Sequence, residues 1–336
     1  MLGIVFGKCD NVARSTKQKP LVGTILKLMF GISEVETTFA RRAFRGGENG
    51  ARERIEQVGA AFVSGYHAAL ENAEEAVLVS KLEAMDTNHR GFAYEGAAMA
   101  IAILDRVTPW RRDRVQRFLA GPGDPHTYMV HVAIGWAAAR LPGRIEKQMA
   151  PLDPLLRWLV LDGYGFHEGF FHWPKYIHNG PHPRRVTGYA ARVFDQGLGR
   201  SLWFVEGANI DGLSGTIAGF AEARRADLWS GVGLASVYAG EVSDTELNSL
   251  IEASGKFQPH LAQGASFAAK ARHRAGNPTP YTDRACRALC GMSSADAAAL
   301  TDAALENLPA ISTEPAYEIW RQRIQKKLSH GKELKR

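Results

Sequence analysis

The sequence predicts an all-α protein built as an internally duplicated helical bundle with two pseudo-symmetric halves. Apolar residues recur at i, i+3 or i+4 along most of the chain, the spacing of a helix with one buried face. No segment alternates cleanly with a period of two, and β-branched residues are sparse. Several motifs also return in the same order at a nearly constant distance.

Taken in order, Met1–Phe6 is apolar but is followed closely by Lys8 and Asp10, so no signal peptide is expected. Leu21–Ile32 is too short to cross a bilayer and is broken by Lys27. It reads as an amphipathic helix, packed on its own core or laid on a partner or membrane surface. Residues 1–35 are set apart as an N-terminal segment. Phe62, Tyr66, Ala69, Leu70, Ala73 and Val77 then form one helix face. Gly96–Leu104 is alanine-rich and suits close helix contact, and Arg111–Leu119 is amphipathic. Tyr128–Leu141 keeps the apolar pattern until Pro142-Gly143, a helix-ending pair. Leu155–Leu161 supplies a further apolar turn.

The repetition is best seen in pairs. Phe62-Val-Ser-Gly65 with Leu70 matches Phe194-Asp-Gln-Gly197 with Leu202, an offset of 132. Arg90 to Gly96 resembles Arg225 to Gly231, and Ala100 falls opposite Ala235, an offset of 135. Pro125-His126 pairs with Pro259-His260, an offset of 134, and Ala137–Gly143 resembles Ala268–Gly276. This period is much longer than a solenoid unit of about 34 residues, so a duplicated bundle is expected. Residues 36–185 would form the first copy and 186–330 the second.

Composition bounds the function. The 336 residues carry a net charge of +6, a pI near 9.2 and 45% hydrophobic residues, enough for a large core. Arg111, Arg112, Arg114 and Arg117 cluster, as do the basic residues after Arg321, but acidic residues are interspersed and no nucleic-acid motif is present. Nucleic acid is therefore not expected as a partner. Three cysteines, Cys9, Cys286 and Cys290, suit a reducing, cytoplasmic setting rather than a disulfide scaffold. The last two share a helix face and read as buried thiols.

The candidate site is the stretch Leu161–Pro174, with three glycines, two histidines and two acids. Its presumed counterpart, from Leu289-Cys-Gly291 onward, continues as a plain helix, so the polar and aromatic groups on glycine-broken backbone mark a specialised role. His167 and His172 are five apart, unlike the i, i+4 pair of zinc proteases, while Glu168 and His172 are four apart and could share a face. Glu168 could orient His172 as a base, both could bind a metal with a third ligand, or the stretch could be a capped helix start with hydrogen-bonded histidines. His167, Glu168 and His172 are the catalytic candidates. Tyr164, Phe170, Phe171, Trp203 and Trp229 are candidates for holding an apolar ligand, with Asp227 as a secondary site residue. Phe204 and Tyr238 could join the same pocket or, like any aromatic stripe, be plain core. His178–Arg185 is a turn-rich loop in which Arg184 and Arg185 could meet an anion or stay solvated. Gly197-Leu-Gly199 lacks the strand-turn-helix setting of a dinucleotide fingerprint. No metal ligand set is assigned, and the cofactor is unknown.

The segments Ile32–Phe44, Asp162–Phe171, Phe194–Phe204 and Ala226–Ala235 together resemble a bacterial domain-of-unknown-function family known as enediyne biosynthesis proteins of the UnbL type. The likeness runs from about Ile32 to Leu300. It implies a role beside an iterative polyketide synthase, in the maturation of a linear polyene toward an enediyne core. The implied partners are a polyene or other apolar polyketide chain and companion biosynthetic proteins, with a homo-oligomer left open. The alternative is a non-catalytic polyene-binding or scaffold protein. The resemblance supplies no catalytic residues.

Overall fold

A computed structural model describes residues 20–333 apart from 49, 73, 109, 179 and 310. The described chain is 73% helix and has no strands. Met1–Phe6, Lys8, Cys9 and Ala73, all used in the sequence reading, lie outside the described residues. After α1 (Pro20–Phe30) and α2 (Phe39–Arg42) come α3 (Ala51–Glu71), α4 (Glu75–Glu83), α5 (Arg90–Val107), α6 (Arg114–Ala120), α7 (Thr127–Arg140) and α8 (Ile145–Met149). Then follow α9 (Leu159–Phe171), α10 (Trp173–Ile177), α11 (Tyr189–Val205), α12 (Ile210–Ala218) and α13 (Glu222–Tyr238). The chain closes with α14 (Asp244–Ser254), α15 (Gln258–Arg274), α16 (Pro280–Cys290), α17 (Ser294–Ala303) and α18 (Ala316–Glu333). Helix ends carry the expected chemistry. A Ser243/Glu246 capping box opens α14, and Thr279 caps α16 just before Pro280.

The long helices α3, α5, α7, α9, α11, α13 and α15 form a row in which each packs on the next. Glycines fix the crossings. A Cβ on Gly165 would sit 2.1 Å from the carbonyl oxygen of Phe194, and one on Gly197 would sit 1.8 Å from that of Asp162. Only a residue without a side chain permits backbones to approach this closely. Gly199 and Gly231 meet the same way across α11 and α13, as do Gly233 and Gly264, Gly135 and Gly163, and Gly65 and Gly96. At the α5–α7 crossing the same register falls on Ala98 and Ala133, both buried. Between α9 and α11, Asp162 bonds Gln196, Arg200 stacks on Phe166, and Phe170 meets Phe204, each pair 34 residues apart. A constant offset means that neighbours run parallel. The shorter α12, α14 and α16 make the return passes and touch one another in a second layer.

Gly163, Gly197, Gly231 and Gly264 recur at spacings of 34, 34 and 33 residues. Four such units give the 132–135 offset found in the sequence, and the matched motifs fall on helices four units apart: α3 with α11, α5 with α13, α7 with α15. The recurring element is thus a helix–return unit of solenoid length. Helices α9 and α11 straddle residues 185 and 186, the expected boundary between halves, and pack like any other neighbours. Leu161-Asp-Gly163 and Leu289-Cys-Gly291 do not correspond, because Gly163 lies inside α9 whereas Gly291 (φ 72) terminates α16.

The row also returns on itself. Arg45, just before α3, pairs with Glu206 after α11; Phe92 on α5 meets Tyr238 on α13; Asp124 before α7 pairs with Arg274 on α15. Each link joins units four apart. In other respects the sequence reading needs local correction. The Phe62–Val77 face is two helices, broken where the Asn72 side chain donates to Ala68 O. Helix α1 packs on α3 through Gly23 and a Lys27–Glu71 ion pair, leaving Ile25, Leu28 and Met29 exposed. Cys286 and Cys290 are buried thiols, and Cys290 Sγ donates to Ala262 O. No helix among the described residues is long and apolar enough to cross a membrane.

Candidate functional site

Helix α9 runs unbroken through Gly163, Gly165 and Gly169, so the central stretch is not glycine-broken backbone but a helix planed for its neighbours. His167 and Glu168 lie at its C-terminal end, not at a helix start, and both are buried. The partner of Glu168 is the adjacent His167, whose Nδ1 lies 3.1 Å from Oε1, rather than His172. His172 is exposed, caps α9, and donates its backbone N–H to Glu168 O. Burial pushes the His167 imidazole below its ordinary pKa despite the carboxylate beside it. Burial alone would raise Glu168, but hydrogen bonds from His167 and Tyr176, and the nearby imidazoles, carry it below the usual carboxylate range. At neutral pH the pair is therefore a carboxylate accepting from a neutral imidazole. That leaves Nε2 of His167 as the acceptor, the arrangement of an oriented general base.

Beside this pair is a small apolar cavity of about 30 Å³. Seven aromatic rings line it: Phe62 and Phe92 from α3 and α5, Trp136 from α7, Phe166, Phe170 and Phe171 from α9, and Phe204 from α11. It comes nearest the surface at Gly59 and Phe171, which are half-buried. His167 does not line the cavity. It stands behind the wall, edge-on to Trp136 at 5.6 Å and 4.8 Å from the Phe171 ring.

One ionisable group does line it. Glu95 of α5 is 1% exposed, and its Oε1 has no hydrogen-bond partner. The buried indole Nε1 of Trp136, close to this carboxyl, makes no hydrogen bond of normal geometry either. Burial raises the Glu95 carboxyl to about 7; Arg200 and Trp136 pull it down and Asp162 pushes it up. Arg200 is spoken for, since it pairs with Asp162 and stacks 4.6 Å over Phe166. On the other side of Arg200 a second cavity, of about 30 Å³, is lined by Tyr128, Leu234, Tyr238 and Trp320 among others.

Glu95 belongs to a ladder. The residues before Gly96, Gly163, Gly197, Gly231 and Gly264 form it: Glu95, Asp162, Gln196, Ser230 and Gln263, all buried. Gln196 donates to Asp162 (2.7 Å), and Ser230 donates to Gln263 (2.9 Å) and lies 3.5 Å from Gln196 Oε1. Arg321 of α18 donates to Gln263 and, at 2.7 Å, to Asp227. Asp227 and Glu318 are both held between Arg192 and Arg321, so Asp227 ends the ladder away from the aromatic cavity. Among the other sequence candidates, Phe170 and Phe171 line the cavity. Tyr164 packs on Phe194, and Trp203 and Trp229 are buried outside the cavity lining. Glu95, Trp136 and Arg200 are site residues that the sequence reading misses, although Glu-Gly at 95–96 repeats the pattern of Asp-Gly at 162–163 and Gln-Gly at 196–197. Among the described residues, no three potential ligands gather around Glu168 and His172, or anywhere else, to hold a metal ion. Arg184 and Arg185 are exposed in the expected loop.

A family model described as "Protein of unknown function (DUF1702)" matches residues 21–328. Neither a curated protein nor a solved structure matches the chain significantly.

Proposed function

The chain belongs to the DUF1702 family of proteins of unknown function, and from its aromatic cavity we propose that it binds a long, apolar, unsaturated chain. The observation that carries this is the lining: seven aromatic rings from five helices around a space with a single carboxyl. Flat rings in offset and edge-on contact suit a flat conjugated chain, and apolar burial supplies the affinity. Maturation of a linear polyene toward an enediyne core is the pathway we assign, on the resemblance of Asp162–Phe171, Phe194–Phe204 and Ala226–Ala235. In that reading His167, oriented by Glu168, moves a proton.

The position of His167 behind Trp136 and Phe171 favours a second reading, a non-catalytic protein that shelters a reactive polyene. Two measurements separate them. A conjugated tetraene fatty acid methyl ester, which fluoresces in apolar surroundings, should bind the wild type saturably. Val58→Phe, which overfills the cavity at a cost of about 1–3 kcal/mol, should bind it at least tenfold more weakly while still folded. Absence of saturable binding refutes the cavity reading. In producing cells, His167→Ala that binds the probe normally but yields no product supports proton transfer; full yield supports shelter.

A further inference from the structure

The geometry points to Glu95 and Trp136 as a clamp for a neutral carbonyl group at one end of the apolar ligand, a site distinct from the His167–Glu168 pair. The inference rests on the cavity being the ligand site. Glu95 Oε1 and Trp136 Nε1 are buried and belong to residues lining the same cavity; the indole N–H is near enough to the carboxyl to pull its pKa down, yet neither atom makes a hydrogen bond of normal geometry. Leaving such atoms unpaired costs about 1–3 kcal/mol each, and an oxygen seated between them would restore both bonds. A carbonyl oxygen carries two lone pairs and can accept from both the indole N–H and a protonated carboxyl.

The surrounding charges select a neutral group over an anion. Arg200, the cation nearest Glu95, is engaged by Asp162, and its guanidinium lies over Phe166. Glu95 is thus the surplus carboxyl of the group, in a setting that favours its neutral form. Tyr238 is the remaining titratable group that senses Glu95; its phenol is pushed upward, largely by burial, and stays neutral. A ligand carboxylate entering this apolar space would face Glu95 with no free cation. An ester, thioester, ketone or amide faces no such opposition.

The test uses three probes on the full-length protein: a conjugated tetraene methyl ester, the corresponding free acid, and a conjugated tetraene hydrocarbon. Above the pKa of a carboxyl its protonated fraction falls about tenfold per pH unit. Ester affinity for the wild type should therefore fall about tenfold or more between pH 6 and pH 8.5. In Glu95→Gln, which keeps a donor at every pH, the change should be under twofold. At pH 6 Glu95→Ala and Trp136→Phe should weaken ester binding several-fold more than they weaken hydrocarbon binding. At pH 7.5 the free acid should bind more weakly than the ester. A pH-independent wild-type profile, an unaltered profile in Glu95→Gln, or tighter binding of the acid would overturn the clamp. If none of the three probes binds, the cavity reading itself fails, which is a different outcome from binding that ignores Glu95.

Discussion

At the scale of single residues, Glu95 titrates in the opposite sense to His167 and Glu168. His167 has a folded pKa below its ordinary 6.5, so the unfolded chain binds more protons and stability declines as pH falls below about 6.5. Glu168 is also depressed, and its contribution is lost at still lower pH, below its ordinary 4.5. Glu95 behaves the other way. Its carboxyl is raised from 4.5 to about 7, so the folded state binds the extra proton and gains stability as pH falls from 7 toward 4.5. Glu95→Gln should accordingly raise stability at pH 8, by an amount on the order of 3 kcal/mol or less, and change it little at pH 4.5. His167→Gln should flatten the decline between pH 6.5 and 5. Urea unfolding across pH 4.5–8.5 measures both slopes, and a Glu95→Gln effect equal at the two extremes would contradict the burial of an ionisable proton there.

At the scale of elements, the crossing glycines decide whether the row closes. Gly231→Ala would put a methyl 1.9 Å from the Gln196 carbonyl oxygen, forcing α11 and α13 apart. A loss of about 3 kcal/mol or more is expected, the scale of overpacking that meets backbone. Gly215, exposed on α12 with open space around its Cβ, provides the contrast. Gly215→Ala should stabilise by about 0.5–1 kcal/mol through helix propensity alone. Thermal unfolding of the two variants compares them directly. These glycines also show how far the sequence could be read. The helical class follows from periodicity, and the end of α7 from Pro142-Gly143. The unit length does not, because the strongest matches, Phe62 with Phe194 and Pro125-His126 with Pro259-His260, lie four units apart. Alanines at 98 and 133 hide one crossing altogether. Asp162-Gly-Tyr-Gly, Gln196-Gly-Leu-Gly and Ser230-Gly-Val-Gly display the short period openly, but each reads as a local peculiarity until the helices are seen side by side. The site was legible in part. Phe170 and Phe171 stand out in an aromatic stretch, whereas Glu95 sits in an alanine-rich helix and gains its setting only from α7, α9 and α11.

At the scale of the whole molecule, the links between units four apart separate this fold from an open solenoid, in which each unit touches only its neighbours. Phe92 on Tyr238, Arg45 on Glu206 and Asp124 on Arg274 tie early helices to late ones. Helix α18 adds a further tie by inserting Arg321 and Tyr317 among the ladder residues. Unfolding should therefore be a single cooperative event. Urea transitions followed by helical circular dichroism and by tryptophan fluorescence should coincide, while separated midpoints would indicate units that melt in sequence. The ladder has one more consequence. Gln196 meets Asp162 one unit back, and Ser230 meets Gln263 one unit on. Removing or adding one unit would leave two buried rungs facing partners they do not fit. An open array can gain or lose a repeat during descent and keep its register. A chain whose rungs are individually matched cannot, so members of this lineage should vary in their loops and termini but hold the number of units constant.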